Sequence, residues 1–370
     1  MVLAQVLEKM RAEVSRTPEL REAFLKGADS NEGDFAVFWP AFHLCLLSTA
    51  RIKEVALSSL SKLFAHEIIT SAEPGADLEI HVGQLLNNDP ILKVAENEPP
   101  FLLENYSLVD EVIIKICLSM NLNTEESVQL QAIKLLLTVI TNAHAQISET
   151  TLISLIFTIS AIHNMAMQNS TNDITAKAAL TQIINLVLSK MERHTQENIL
   201  ILTSELAKQE NSDIVAHNSL LRHDVYLVLK YLCGKAVYTD TLTLFSTNAV
   251  EISSNAMKSR ILAMELIMSI LSNVGPVVSN DPLFVTIIQK DIYAAISKNS
   301  TTSNATLFEL SLSIYLLTIR HYRSYMKLEI ESMTNNVFLK ILEMSNSSHR
   351  QKCIILQALK KLCSDPQVFR

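Results

Sequence analysis

Glycine occurs only six times in 370 residues, and proline nine. Hairpins, strand ends and β–α crossovers draw on glycine for left-handed backbone and tight turns. A chain this poor in it is driven toward helices joined by short Ser, Asn and Asp turns. Hydrophobic residues make up 48% and charged residues 19%, which excludes a disordered chain and supplies a large core. The expected fold class is all-α.

Helical periodicity recurs along the chain. The pattern predicts helices at 2–15, 18–27, 35–48, 51–70, 108–120, 124–142, 149–168, 174–193, 196–208, 213–233, 241–251, 257–273, 281–297, 304–320, 323–344 and 347–363. Between Lys258 and Asn273, Ile261, Met264, Met268 and Leu271 form one apolar stripe that Leu262, Leu266 and Ile270 widen. Lys258, Arg260, Glu265 and Ser269 fall outside it. Gly275-Pro276 should stop this helix, glycine by tolerating left-handed geometry. Thr17-Pro18, Asn123 with Glu126, Ser148 and Asp281-Pro282 read as helix starts. Phe35, Phe38, Trp39 and Phe42 form an aromatic helix stripe, read as core packing. Successive helices of this kind, without a fixed repeat period, build an irregular armadillo/HEAT-like solenoid. Residues 71–107 hold four of the prolines and two of the glycines and read as an irregular insertion. A weaker break at 209–213 divides the chain into domains 1–208 and 213–370.

The same residues exclude several functions. Net charge is −7 with no cationic stripe to displace phosphate counterions, so no nucleic-acid partner is expected. Phosphate-binding and nucleophile-elbow glycine spacings are missing. His66-Glu67 begins like a zinc-protease motif, but position 70 is Thr. No catalytic, metal or cofactor-binding residue is expected, and no cofactor. The five cysteines are scattered and form no CxxC pair, which reads as reduced thiols in a cytoplasmic protein. The N-terminal segment does not read as a signal peptide, and the apolar run Leu152–Ile162 is too short to span a bilayer.

The densest pattern is NDITAKAALTQIINLVLSKME (172–192). Asp173 or Thr175 should cap this helix, with Ile183, Leu186, Val187 and Met191 as its buried stripe. Lys177, Thr181, Gln182 and Asn185 lie along a neighbouring polar strip. The strip has two possible uses, an internal strut hydrogen-bonded to a neighbouring helix or an exposed partner surface. The strut is the expectation, because short polar side chains satisfy buried groups well and make poor hot spots.

This stretch resembles the TAKATLTQ signature of the large Arf guanine-nucleotide exchange factors of the brefeldin A-inhibited (BIG) class. QLQAIKLLLTVIT (129–141) and FWPAFHLCLLSTARIKEVALSSLSKLFAH (38–66) are similar to other helices of the dimerisation and cyclophilin-binding (DCB) domain of that class. SRILAMELIMSILSNVGPV (259–277), ELSLSIYLL (309–317) and SNSSHRQKCIILQALKKLCSDPQ (345–367) resemble, in order, segments of the following homology-upstream (HUS) domain.

The resemblance implies a DCB-like domain at 1–208 and a HUS-like domain at 213–370, the latter ending before the family's Asn-Tyr-Asp-Cys box. The catalytic exchange domain would lie downstream, so the chain is expected to be a non-catalytic regulatory part. The partners implied are a second copy of the chain, the exchange domain, and Arf-like or Rab GTPases. The implied location is cytoplasmic, at the periphery of trans-Golgi and endosomal membranes, without a transmembrane segment. The rival reading is a generic armadillo/HEAT adaptor for extended peptides. That reading calls for ladders of Asn and Trp, and the chain has one Trp.

Overall fold

A computed structural model describes residues 2–30, 35–69, 107–121, 123–142, 147–203, 211–237 and 249–364. Among these residues every regular element is helical, and the fold is all-α. The chain divides into two compact units, Met1–Ile183 and Ile184–Arg370. Within each unit, helices pack on near neighbours in the manner of an irregular armadillo/HEAT-like array.

The first unit contains α1 (Val2–Glu13), α2 (Pro18–Ser30), α3 (Phe35–Leu46), α4 (Ala50–Ala65), α5 (Leu108–Ser119), α6 (Glu126–Thr141) and α7 (Glu149–Met165). It also holds the first part of α8 (Thr171–Thr203). Helix α4 packs on α1, α3 and α6, and α7 packs on α5 and α6. The aromatic stripe of α3 is core, as expected: Phe35, Phe38, Trp39 and Phe42 are all buried. Phe42 lies 5.5 Å from Phe24 of α2, edge to face, a geometry that adds to the area these rings bury. The Trp39 Nε1 donates to Glu111 Oε1 at 2.8 Å.

Helix α7 is buried on nearly every side, although its sequence is rich in Ser and Thr. The hydroxyls resolve this by donating back along the helix, Ser154 to Thr150 O at 2.7 Å, Thr158 to Ser154 O at 2.8 Å and Ser160 to Ile156 O at 2.7 Å. These three hydroxyls thus enter the core with their hydrogen bonds already made.

The second unit takes up the rest of α8, then α9 (Asn211–Val237), α10 (Ala249–Ser272), α11 (Pro276–Asn280), α12 (Pro282–Ile287), α13 (Tyr293–Ser300) and α14 (Ala305–Tyr322). It closes with α15 (Lys327–Met333), α16 (Lys340–Glu343) and α17 (His349–Ser364). Helix α10 packs on α9 and α14, α13 on α14 and α9, and α17 on α14. Wide π turns join α12 to α13 at Ile288–Ile292 and α15 to α16 at Thr334–Leu339. At the second, the Ile330 carbonyl accepts from the hydroxyls of Thr334 at 2.7 Å and Tyr315 at 3.1 Å. Side chains thus supply donors where the helical ladder is widened.

Several expectations need correction. The segments 174–193 and 196–208 are not two helices, because α8 runs unbroken from Thr171 to Thr203; no Gly or Pro interrupts it. Asn123 does not cap α6. The cap position is Glu125, without a side-chain hydrogen bond, because Asn121, Asn123 and Thr124 bond among themselves in the preceding turn. On α10, Arg260 is buried although it lies outside the apolar stripe, and Ile261 and Met268 of the stripe are only half-buried. The Arg260 Nη2 donates to Asn299 Oδ1 at 2.6 Å, and this partner lies 39 residues away. Gly275 is extended, at φ −93, not left-handed. Ser148 and Asp281 do cap α7 and α12. The 71–107 insertion lies almost wholly outside the described residues, as do 241–248 of the helix expected at 241–251.

Candidate interaction surface along helix α8

Helix α8 begins a turn before Asp173. The Ser170 hydroxyl accepts from the Asp173 amide at 3.3 Å, so Ser170, not Asp173 or Thr175, caps the helix. The Asp173 carboxylate then accepts from the Asn169 amide at 2.9 Å, one residue before the cap, which holds the entering turn. Asn169 holds a left-handed φ of 62, a conformation that Asn tolerates. The other Asp173 oxygen lies 3.1 Å from His163 Nδ1, both side chains being nearly buried. Beside it, Asn172 Nδ2 donates to Glu126 O at 2.9 Å and Gln129 Oε1 at 3.1 Å. The Gln129 Nε2 in turn donates to Thr124 O at 3.1 Å. The first turn of α8 is thereby tied to α6 and α7 through polar groups that have partners.

The strip residues that follow meet different surroundings. Lys177 and Gln182 are exposed. Thr181 is half-buried and donates to Lys177 O at 2.9 Å within its own helix. Asn185 is half-buried, and its Oδ1 accepts from Ser269 Oγ at 3.3 Å and Asn273 Nδ2 at 3.2 Å of the α10 end. The apolar side is broader than the expected stripe. Ile183, Val187 and Met191 are buried, Leu186 is only half-buried, and Leu180, Ile184 and Leu188 are buried as well. Exposed apolar side chains flank the N-terminal end of the strip, with Met167 75% and Ile174 60% accessible.

Sequence reasoning missed Glu192 altogether. Its carboxylate accepts from the amides of Val277 at 3.3 Å and Val278 at 3.1 Å, and so caps the N-terminus of α11 from 85 residues away. A Cβ on Gly275 would lie 2.5 Å from the Glu192 carboxyl carbon, so glycine serves close approach here. Nearby, Arg222 pairs with Asp281, the residue that caps α12. Burial draws Lys190 below the ordinary lysine range, with the Asp224 carboxylate opposing the shift. No local signal could have found these pairs, because each partner is fixed by packing.

Nothing among the described residues brings three His, Cys, Asp or Glu side chains together at metal-holding distance. No described helix is long and apolar enough to cross a membrane. What α8 offers is a helix face braced by hydrogen bonds, with polar and apolar side chains displayed on it.

Comparison with known proteins assigns the chain. Residues 28–195 match the dimerisation and cyclophilin-binding domain of Mon2/Sec7/BIG1-like proteins. Residues 221–370 match the HUS domain of the same proteins. The rat brefeldin A-inhibited guanine nucleotide-exchange protein 1 is 34% identical over 40% of this chain. The Arabidopsis thaliana protein of the same name is 24% identical over 98% of it. The Schizosaccharomyces pombe ADP-ribosylation factor guanine nucleotide-exchange factor sec71 is 25% identical over 67% of it. These alignments cover 8%, 22% and 16% of the relatives' lengths. The chain belongs to the Mon2/Sec7/BIG1-like family, of which it carries the dimerisation and cyclophilin-binding domain followed by the HUS domain.

Proposed function

We propose that this chain is a non-catalytic regulatory and interaction module of a large Arf guanine-nucleotide exchange factor. It acts in self-association, in control of the exchange domain and in recruitment to Golgi membranes through Arf-like or Rab GTPases. The observation that carries the reading is the ordered pair of family matches, DCB then HUS, over most of the chain. The named relatives are exchange factors, and the matched part is a small share of each. The work assigned to this part is surface complementarity between helix faces, not bond chemistry. We further propose that the domain boundary of this module falls at 209–213; support is that this stretch lies in the interval between the two matched ranges, 28–195 and 221–370.

Within the strip we assign Asn185 to the strut and Lys177 and Gln182 to the accessible face, while Thr181 bonds back within α8. Support comes from the hydrogen bonds that Asn185 accepts from Ser269 and Asn273 and from the exposure of Lys177 and Gln182. Release of labelled nucleotide from purified Arf, with and without the 370-residue chain, tests the non-catalytic reading. The intrinsic rate should be unchanged, and acceleration by the chain alone would contradict it. Asn185→Ala should lower stability by about 1 kcal/mol, whereas Gln182→Ala should leave melting unchanged. Equal loss of melting temperature in both variants would refute this division of the strip.

A further inference from the structure

The charge of the chain is unevenly placed. From Arg320 to Ser364 there are eight Lys and Arg against three Asp and Glu, in a chain of net charge −7. Among the described residues of the second unit, the exposed large hydrophobic side chains fall in the same stretch: Tyr325, Leu328, Leu339, Met344 and Leu356, between 37% and 78% accessible. Helix α17 carries both features at once. Its inner face seats Ile355 and Ala358 in the core against α14. Lys352, Leu356 and Lys360 stand four residues apart and therefore form one row up the helix. Leu356 is 56% accessible, Lys360 exposed and Lys352 half-buried, with Arg350 and Lys361 exposed beside the row.

We propose that this row of α17 docks the second unit on an anionic lipid bilayer. Basic side chains flanking accessible apolar ones suit the interfacial zone, where lysines meet headgroup phosphates and an apolar side chain reaches the acyl boundary. Charge complementarity selects a negative surface, and the convex outside of a single helix suits a fluid plane better than a peptide, which needs a groove or a strand edge. The proposal rests on the reading of the chain as a membrane-recruited module and assigns the lipid-contacting face within it.

The test is co-sedimentation of the 370-residue chain with vesicles of phosphatidylcholine alone and of phosphatidylcholine with about 30% phosphatidylserine. Binding is expected to the anionic vesicles only, and to fall as salt is raised. Each lysine near such a surface contributes about 1 kcal/mol, or roughly fivefold in partition, so Lys360→Gln with Lys361→Gln should weaken binding about 30-fold. Leu356→Ser should weaken it about tenfold, with circular dichroism confirming that the helices persist. Equal binding to both vesicle types, no binding, or binding unmoved by these variants would overturn the proposal. Self-association of the same variants is read by sedimentation velocity. If vesicles are not bound and self-association is lost in the lysine variant, the row belongs to a second copy of the chain, which overturns the proposal but leaves the interaction module intact.

Discussion

At the residue scale, the side chains that organise the second unit are polar and far from their partners in sequence. Glu192 and Gly275 form such a pair. Removing the carboxylate in Glu192→Ala leaves the amides of Val277 and Val278 without their acceptor, at a cost of about 1–2 kcal/mol. A Cβ in Gly275→Ala displaces the same carboxylate and should cost a similar amount. The double variant should be little worse than either single one, because both remove the same cap. Chemical denaturation of the three variants measures this coupling, and additive losses would show that the cap and the close approach are unrelated.

Cysteines supply a second residue-scale prediction. Burial pushes the thiols of Cys45 and Cys117 up to about 12 and holds Cys233 well above the usual thiol range. Cys363 is exposed and Cys353 half-buried. An aromatic disulfide reagent should therefore modify Cys363 first and Cys353 more slowly, with the other three reacting only on unfolding. The unfolded chain ionises its thiols near pH 8.5, whereas the folded chain keeps the three buried ones protonated. The unfolded state then binds fewer protons, so stability contributed by these groups is intact below about pH 8.5 and is lost as pH rises toward 12. The slope is up to about 1.4 kcal/mol per pH unit for each buried thiol. Denaturation midpoints measured at a series of alkaline pH values check the sign.

At the scale of the element, the helices were legible because their apolar spacing and their scarcity of glycine and proline are local properties. Leu136, Ile183, Leu266 and Leu312, taken from the centres of apolar helices, are all buried. Leu136→Ala, Leu266→Ala and Leu312→Ala should each cost about 2–5 kcal/mol, and parent-like melting of all three would contradict the packing. What was not legible depends on tertiary partners. The π turn at Thr334–Leu339 is accompanied by a hydrogen bond from Tyr315, a residue of another helix. Arg260 falls outside the apolar stripe by helical phase, yet it is buried, with Asn299 supplying an acceptor that no spacing rule anticipates. Gly275-Pro276 marks a break, and the glycine there admits the close approach of the Glu192 carboxylate rather than a left-handed backbone. The candidate strip was visible as a pattern. Its division into braced and exposed residues was not, because the Ser269 and Asn273 partners of Asn185 come from α10.

At the scale of the whole molecule, each unit folds around its own apolar interior, and the family matches place a DCB and a HUS domain in that order. Long stacked helices bury their inner faces and leave outer faces available, which is the physical basis for an interaction module. The ten exposed large hydrophobic side chains among the described residues are candidates for contact, and they divide between the two units. We propose that this chain works by association, beginning with association with itself. Sedimentation velocity of the purified 370-residue chain over a range of concentrations is the test. A concentration-dependent species of twice the chain mass is expected. A single monomeric boundary at every concentration, from a chain shown by circular dichroism to be helical, would contradict it.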